Sequence, residues 1–292
     1  MPAPLLEWPL LLTRARSARR ALLLGVAALA LAVSGCGGGG DAASFDPVAS
    51  AATTVKAKTA KLLFATSVTN GGKTLHMNGL GSADFENQQA SMTFNVGDLL
   101  RGSGLPASPG EQWTIITQGL VMYMHAPTLA QQLPGGKEWL KVDVEKLAKS
   151  RNVDLGQFRQ LTQNDPTQML AYLRATSGKV EKVGTETIRG VETTHYRAQV
   201  DLDKVAAQAP ANLRKTFRAS IQSLKQSLGR STVPVDVWID QDDLVRRLTE
   251  HLDVKGSGKI DFSVDFYDFG APVSISAPPA SQTLDLGTVL GG

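Results

Sequence analysis

The chain has 292 residues, a formal charge of +3 and one cysteine, with 42% hydrophobic and 6% aromatic residues. That length fits one large domain or two small ones, and a lone cysteine excludes a disulfide framework. The excess charge lies at the N-terminus: residues 1–35 hold four arginines and one acid, Glu7, and beyond them 26 basic side chains face 26 acidic ones, which excludes the broad basic surface that nucleic acid requires.

Arg14, Arg16, Arg19 and Arg20 precede an apolar run of 12 residues, Ala21 to Ala32, which leads into Val33-Ser34-Gly35-Cys36. This is the n-region, h-region and cleavage-site order of a secretory signal, and the run is shorter than the roughly 20 residues a spanning helix needs. A single cysteine placed at the cleavage site reads as a lipid attachment point. Residues 1–35 are therefore expected to be a lipoprotein signal peptide, with Cys36 lipidated and the body held on the extracytoplasmic face of the cell membrane. A chance cysteine in a secreted protein leaves the four-residue match unexplained. The export route stays open, because Arg19-Arg20-Ala21-Leu22-Leu23 partly resembles a twin-arginine signal while paired arginines are common in n-regions. Acyl chains anchor at about 0.8 kcal/mol per buried CH₂, so two or more hold a protein stably.

Residues 36–45 read as the lipidated cysteine and a flexible glycine-rich tether. One domain is expected over 46–280, with a tail over 281–292. From Asp46-Pro47 to about Lys61, Val48, Ala52 and Val55 recur at helical spacing. The period then falls to two. Leu62 to Val68, Leu75 to Phe85 and Ala90 to Val96 form a meander turning at Asn70-Gly71-Gly72-Lys73 and Asn87-Gln88. After a Gly/Pro-rich loop, Arg101 to Gly110, come strands at Trp113–Thr117, Leu120–His125 and Glu138–Val142.

The middle reads as a helix running from a cap at Asp165-Pro166 to a stop at Ser177-Gly178. A long hairpin, Lys179–Ile188 and Val191–Leu202, follows around Arg189-Gly190. Leu213, Phe217, Ile221, Leu224 and Leu228 make one helical stripe, with Arg214, Lys215, Arg218 and Lys225 on the remaining surface. Strands at Val233–Asp240, Leu244–Val254 and Ile260–Phe266 close the pattern. About ten antiparallel strands, some three helices and no βαβ repeats give an α+β class: a large curved antiparallel sheet with helices packed on one side.

Catalytic signatures are missing. His76, His125, His195 and His251 are scattered singly, with no metal-ligand spacing, and neither Gly-x-Ser-x-Gly nor a phosphate-binding Gly-x-x-x-x-Gly-Lys occurs. The chain reads as no enzyme and as needing no cofactor or metal. Asp236, Asp240, Asp261 and Asp265 alternate with apolar residues, the pattern of a solvated sheet face. Opposite them lies a soft apolar set: Phe64, Met77, Phe85, Met92, Phe94, Met122, Met124, Val237, Ile239, Phe262, Val264 and Phe266. It reads either as an ordinary core under the helices or as a pocket for acyl chains, for methionine adapts to irregular apolar partners and ligand sites are concave and mostly apolar.

Val233-Pro234-Val235-Asp236-Val237-Trp238-Ile239-Asp240, Leu244-Val245-Arg246-Arg247, Phe266-Tyr267-Asp268-Phe269-Gly270-Ala271-Pro272-Val273 and Pro278-Pro279 together resemble the LppX/LprAFG family of actinobacterial lipoproteins. The likeness runs from about Phe45 to Pro279, and its motifs are structural. It implies a LolA/LolB-like fold, a half-open β-barrel closed by helices around a hydrophobic cavity that the soft apolar set would line. It also implies carriage of acylated lipids or lipoglycans across the cell envelope. The implied partners are an acylated lipid or glycolipid, the membrane through lipidated Cys36 and an envelope transporter, with no nucleic acid. A sensor that uses the same fold to bind a protein partner is the alternative.

Overall fold

The computed structural model describes residues 53–54, 56–102, 107–108, 110–146, 177–208, 214–256 and 258–287. Its strands are β1 (Thr59–Asn70), β2 (Lys73–Asp84), β3 (Gln89–Asn95), β4 (Gln112–Gln118), β5 (Val121–His125), β6 (Trp139–Asp143), β7 (Ser177–Ile188), β8 (Val191–Asp201), β9 (Thr232–Asp240), β10 (Val245–Val254), β11 (Gly258–Tyr267) and β12 (Thr283–Asp285). The helices are α1 (Gly97–Gly102), α2 (Pro127–Ala130), α3 (Leu202–Gln208) and α4 (Arg214–Leu228), and residues 53, 54 and 56 are also helical.

All twelve strands share one sheet in the order β12-β6-β5-β4-β3-β2-β1-β11-β10-β9-β8-β7. Two antiparallel meanders, β1–β6 and β7–β11, join where β11 pairs with β1. The edge strands β12 and β7 do not pair with each other, so the barrel stays open as expected. The sheet is mixed rather than purely antiparallel, because β12 runs parallel to β6. That strand comes from the stretch set apart as a tail. Arg189, in the β7–β8 turn, lies 4.2 Å from the ring centre of Tyr267 on β11. In a flat sheet β8 and β11 would stand about 14 Å apart, a gap that twist and curl shorten.

Local sequence sets these elements. Gly71 and Gly72 both take positive φ, +57° and +78°, the conformation of a two-residue hairpin turn, so β1 feeds β2 directly. Asp201 ends β8 and caps α3: its Oδ1 accepts the backbone N–H groups of Asp203 at 2.8 Å and Lys204 at 3.2 Å. Leu202 therefore begins a helix instead of ending the strand. Gly229, at φ +68°, stops α4 and donates its N–H to the Lys225 carbonyl.

Some boundaries differ from the sequence reading. The chain is already extended at Thr59, so the first helix stops short of Lys61. Arg101 and Gly102 belong to α1, and β7 takes in Ser177 and Gly178. Ile221, Leu224 and Leu228 of α4 pack inward as a stripe, while Phe217 is 41% exposed. The signal, Cys36, the tether, the start of the first helix, the helix after Asp165-Pro166 and Leu213 lie outside the described residues.

Two apolar clusters hold the sheet. The larger gathers Leu62, Phe64, Met92, Phe94, Leu100, Ile239, Val245, Phe262, Val264 and Phe266. In the smaller, α3 and α4 cover Val233, Val254 and Ile260 through Leu202, Leu228, Ile221 and Leu224.

Candidate functional site

Directly opposed residues of neighbouring strands share a face, so the pairing register shows where the soft apolar set lies. One row crosses eight strands: Trp113, Phe94, Gly79, Phe64, Val264, Leu248, Val237 and Tyr196. A second runs from the far edge: Leu284, Leu140, Met124, Ile115, Met92, Gly81, Leu62 and Phe266. The eleven strand members of the set therefore project from one face, with Phe85 just beyond the end of β2.

Burial divides them. Phe64, Met92, Phe94, Ile239, Phe262, Val264 and Phe266 are buried in the larger cluster, with Met77, Phe85 and Val237 packed against it. Met122 and Met124 lie on β5, half-buried and outside that cluster. The Phe64 and Phe94 rings meet at 5.6 Å between centroids, tilted by 52°. The rows explain two glycines within β2. A Cβ at Gly79 would run into the Thr93 carbonyl oxygen and come within 2.9 Å of the Phe94 ring, and one at Gly81 would lie 3.0 Å from Met92.

A cavity of about 430 Å³ opens at one rim, lined by Ile188, Arg189, Val191, Arg246, Phe266, Tyr267 and Asp268. Of the candidate set only Phe266 reaches it.

The reverse face corrects the sequence reading of a solvated surface. Asp236 and Asp265 are only 3% and 4% exposed, and Asp240 is buried too. Each is buried because a cation lies over it. Asp236 Oδ1 accepts Arg197 Nε–H at 2.9 Å and lies 2.6 Å from His195 Nε2. Asp265 takes two hydrogen bonds from Arg247, and Asp240 is paired with Arg246. The His195 ring stacks on Trp238 at 4.2 Å, and its Nδ1 is 3.3 Å from Glu186 without hydrogen-bond geometry. Only Asp261 of the four is exposed, in a pair with His251. Among the described residues no group of three or more His, Cys, Asp or Glu side chains forms a metal site.

Two buried glutamates stand apart from this network. Glu111 is 3% exposed. Burial is the largest influence on its carboxyl and pushes the pKa up, but hydrogen bonds from the Thr128 hydroxyl and N–H, the Ser108 N–H and Trp113 Nε1–H outweigh it and leave the group below its ordinary range. Glu250 is 5% exposed. It sits on the apolar face of β10, opposite Phe262 on β11 and Val235 on β9, and burial alone pushes it up to about 7. The sequence reading passed over Glu250, although its alternation with Leu248 and Leu252 marks it as inward-facing.

No protein-family model matches the chain. An uncharacterized 31.2 kDa protein of Streptomyces griseus is 31% identical over 156 residues, 53% of this chain and 50% of its own. A protein of Streptomyces coelicolor, provisionally named a lipoprotein, is 25% identical over 160 residues, 53% of this chain and 45% of its own. The chain spans about half the length of the curated relatives it matches. Among solved structures, the lipoprotein LppX of Mycobacterium tuberculosis superposes with a TM-score of 0.40 at 16% identity, over 78% of this chain and 96% of LppX. LprF of Mycobacterium bovis superposes with a TM-score of 0.37 at 17% identity, over 78% of this chain and 92% of LprF.

Proposed function

We propose that the protein is a lipid-anchored envelope protein that binds acylated lipid or lipoglycan against the apolar face of its open sheet and carries it across the envelope. One observation carries this reading: a row of residues in register across eight strands, apolar side chains on seven of them and Gly79 on the eighth, in a sheet whose two edges stay apart. Each CH₂ of an acyl chain brought into water costs about 0.8 kcal/mol, so a carrier needs a continuous apolar surface from the membrane to its cavity. Cys36 and the tether would hold the mouth of that surface near the bilayer.

The test is native mass spectrometry, with organic extraction, of the soluble form beginning at Gly37 purified from its own host. Acylated lipid at near one per chain supports the reading and names the cargo. An empty chain that also fails to take up added diacyl lipid overturns it and moves the sensor reading forward. Met122 is the position for a loss-of-binding variant, because it is half-buried and outside the main cluster. Met122→Asp is expected to lose lipid and keep the fold.

A further inference from the structure

Glu250 is a buried acid with no ion pair or hydrogen bond among the described residues. It occupies one row of directly opposed residues with Met77, Thr66, Phe262, Val235 and Ala198. Leu248 and Leu252 flank it on the same face of β10 and belong to the two apolar clusters, so Glu250 sits at the seam between them. It is 95% buried by its 5% exposure. Among the described residues no donor, cation or second carboxyl meets it, and burial is the only influence on its titration. The buried acids on the reverse face all have partners, as does Glu111. A polar group set among apolar side chains costs free energy that a partner arriving with a ligand would offset.

We propose that Glu250 is the polar anchor of the apolar face, its neutral carboxyl donating a hydrogen bond to the ester carbonyl of a bound acylated lipid. This rests on the lipid-binding reading. The chemistry of the surroundings selects that group: a site lined by Phe262, Val235, Leu248 and Leu252 receives hydrocarbon, and the polar atom that hydrocarbon brings with it is the acyl carbonyl. A carbonyl accepts and cannot donate, so it needs the carboxyl in its protonated form. Burial supplies that form, with the group half protonated near neutral pH. A cationic headgroup would require the ionised form beside four apolar neighbours, Val235, Leu248, Leu252 and Phe262.

The test uses the full chain, purified in detergent and offered equal amounts of dioleoylglycerol and its dioleyl ether counterpart, which lacks both carbonyls. Bound lipid is extracted and the ester-to-ether ratio measured for the wild type, Glu250→Gln and Glu250→Leu. One hydrogen bond of ordinary strength predicts about a tenfold ester preference in the wild type. Glu250→Gln, whose amide still donates, is expected to keep that preference. Glu250→Leu is expected to bind both lipids at a ratio near one. Equal binding of the two lipids by the wild type, or an undiminished ester preference in Glu250→Leu, overturns the assignment and leaves lipid binding intact. A wild type that takes up neither lipid overturns the lipid reading and this assignment together.

Discussion

Glu250→Gln is expected to stabilise the protein at about pH 8 and to leave it unchanged near pH 4. The glutamate titrates at 4.5 as a free group and at about 7 in the fold. Below 4.5 the folded and unfolded chains both hold the proton, and the group contributes no penalty. Between the two values only the folded chain holds it, so stability falls by about 1.4 kcal/mol for each pH unit gained. Above about 7 both states are ionised and the accumulated cost is about 3 kcal/mol. For a domain of this size that corresponds to about 6–12 °C in Tm. Glutamine keeps the shape and cannot ionise, and comparing it with the wild type cancels every other titrating group. The neighbours facing Glu250 from β9, β10 and β11 are Val235, Leu248, Leu252 and Phe262. The adjoining helix α4 carries Arg214, Lys215, Arg218 and Lys225, with Lys225 bound to Asp203 of α3. Thermal unfolding of both proteins across this pH range is the assay. A stability difference that stays constant from acid to base would refute the reasoning, since it would place Glu250 in the same protonation state in the folded and unfolded chains.

Gly79→Val should destabilise the fold by about 1–3 kcal/mol, as the added Cβ meets the Thr93 carbonyl and the Phe94 ring; urea unfolding with an unshifted midpoint would show that the contact yields. Arg247→Ala strips Asp265 of both its hydrogen bonds and should cost about 3 kcal/mol, read by the same denaturation. Asp201→Ala removes the cap of α3 and should cost about 1 kcal/mol, with hydrogen exchange quickening first at the Asp203 and Lys204 amides.

The sheet was legible because its signals are local. Period-two alternation marked the eleven longer strands, and Gly-Gly at 71–72 and Arg-Gly at 189–190 marked hairpins whose positive φ values the structure bears out. β12 was not legible, since Thr283-Leu284-Asp285 is too short to show a period and its partner β6 lies some 140 residues away. Alternation also placed the aspartates of β9 and β11 on the correct face and misjudged their surroundings. It says which way a side chain points and nothing about what covers it. Asp236, Asp240 and Asp265 are buried by Arg197, Arg246 and Arg247, and those pairings depend on register between strands. The candidate lipid set was readable as one face for the same local reason. Its division into a packed cluster and the half-buried Met122 and Met124 depends on curvature, helix placement and loops.

Glu111 and Glu250 show why burial by itself does not identify a functional carboxyl. Both are nearly sealed from solvent, and desolvation is the largest influence on each. Glu111 gathers donors from Ser108, Trp113 and Thr128, and so ties the loop before β4 to α2; its stabilisation is complete within the chain. Glu250 collects none among the described residues, although β10 offers Thr249 and His251 as neighbours, because alternation directs both of those to the reverse face. Leucine at 250 would join Leu248 and Leu252 without a break and would relieve the stability cost worked out above. A carboxyl that opposes folding, on the face where hydrocarbon is proposed to bind, is accounted for by a donor whose partner arrives with the cargo.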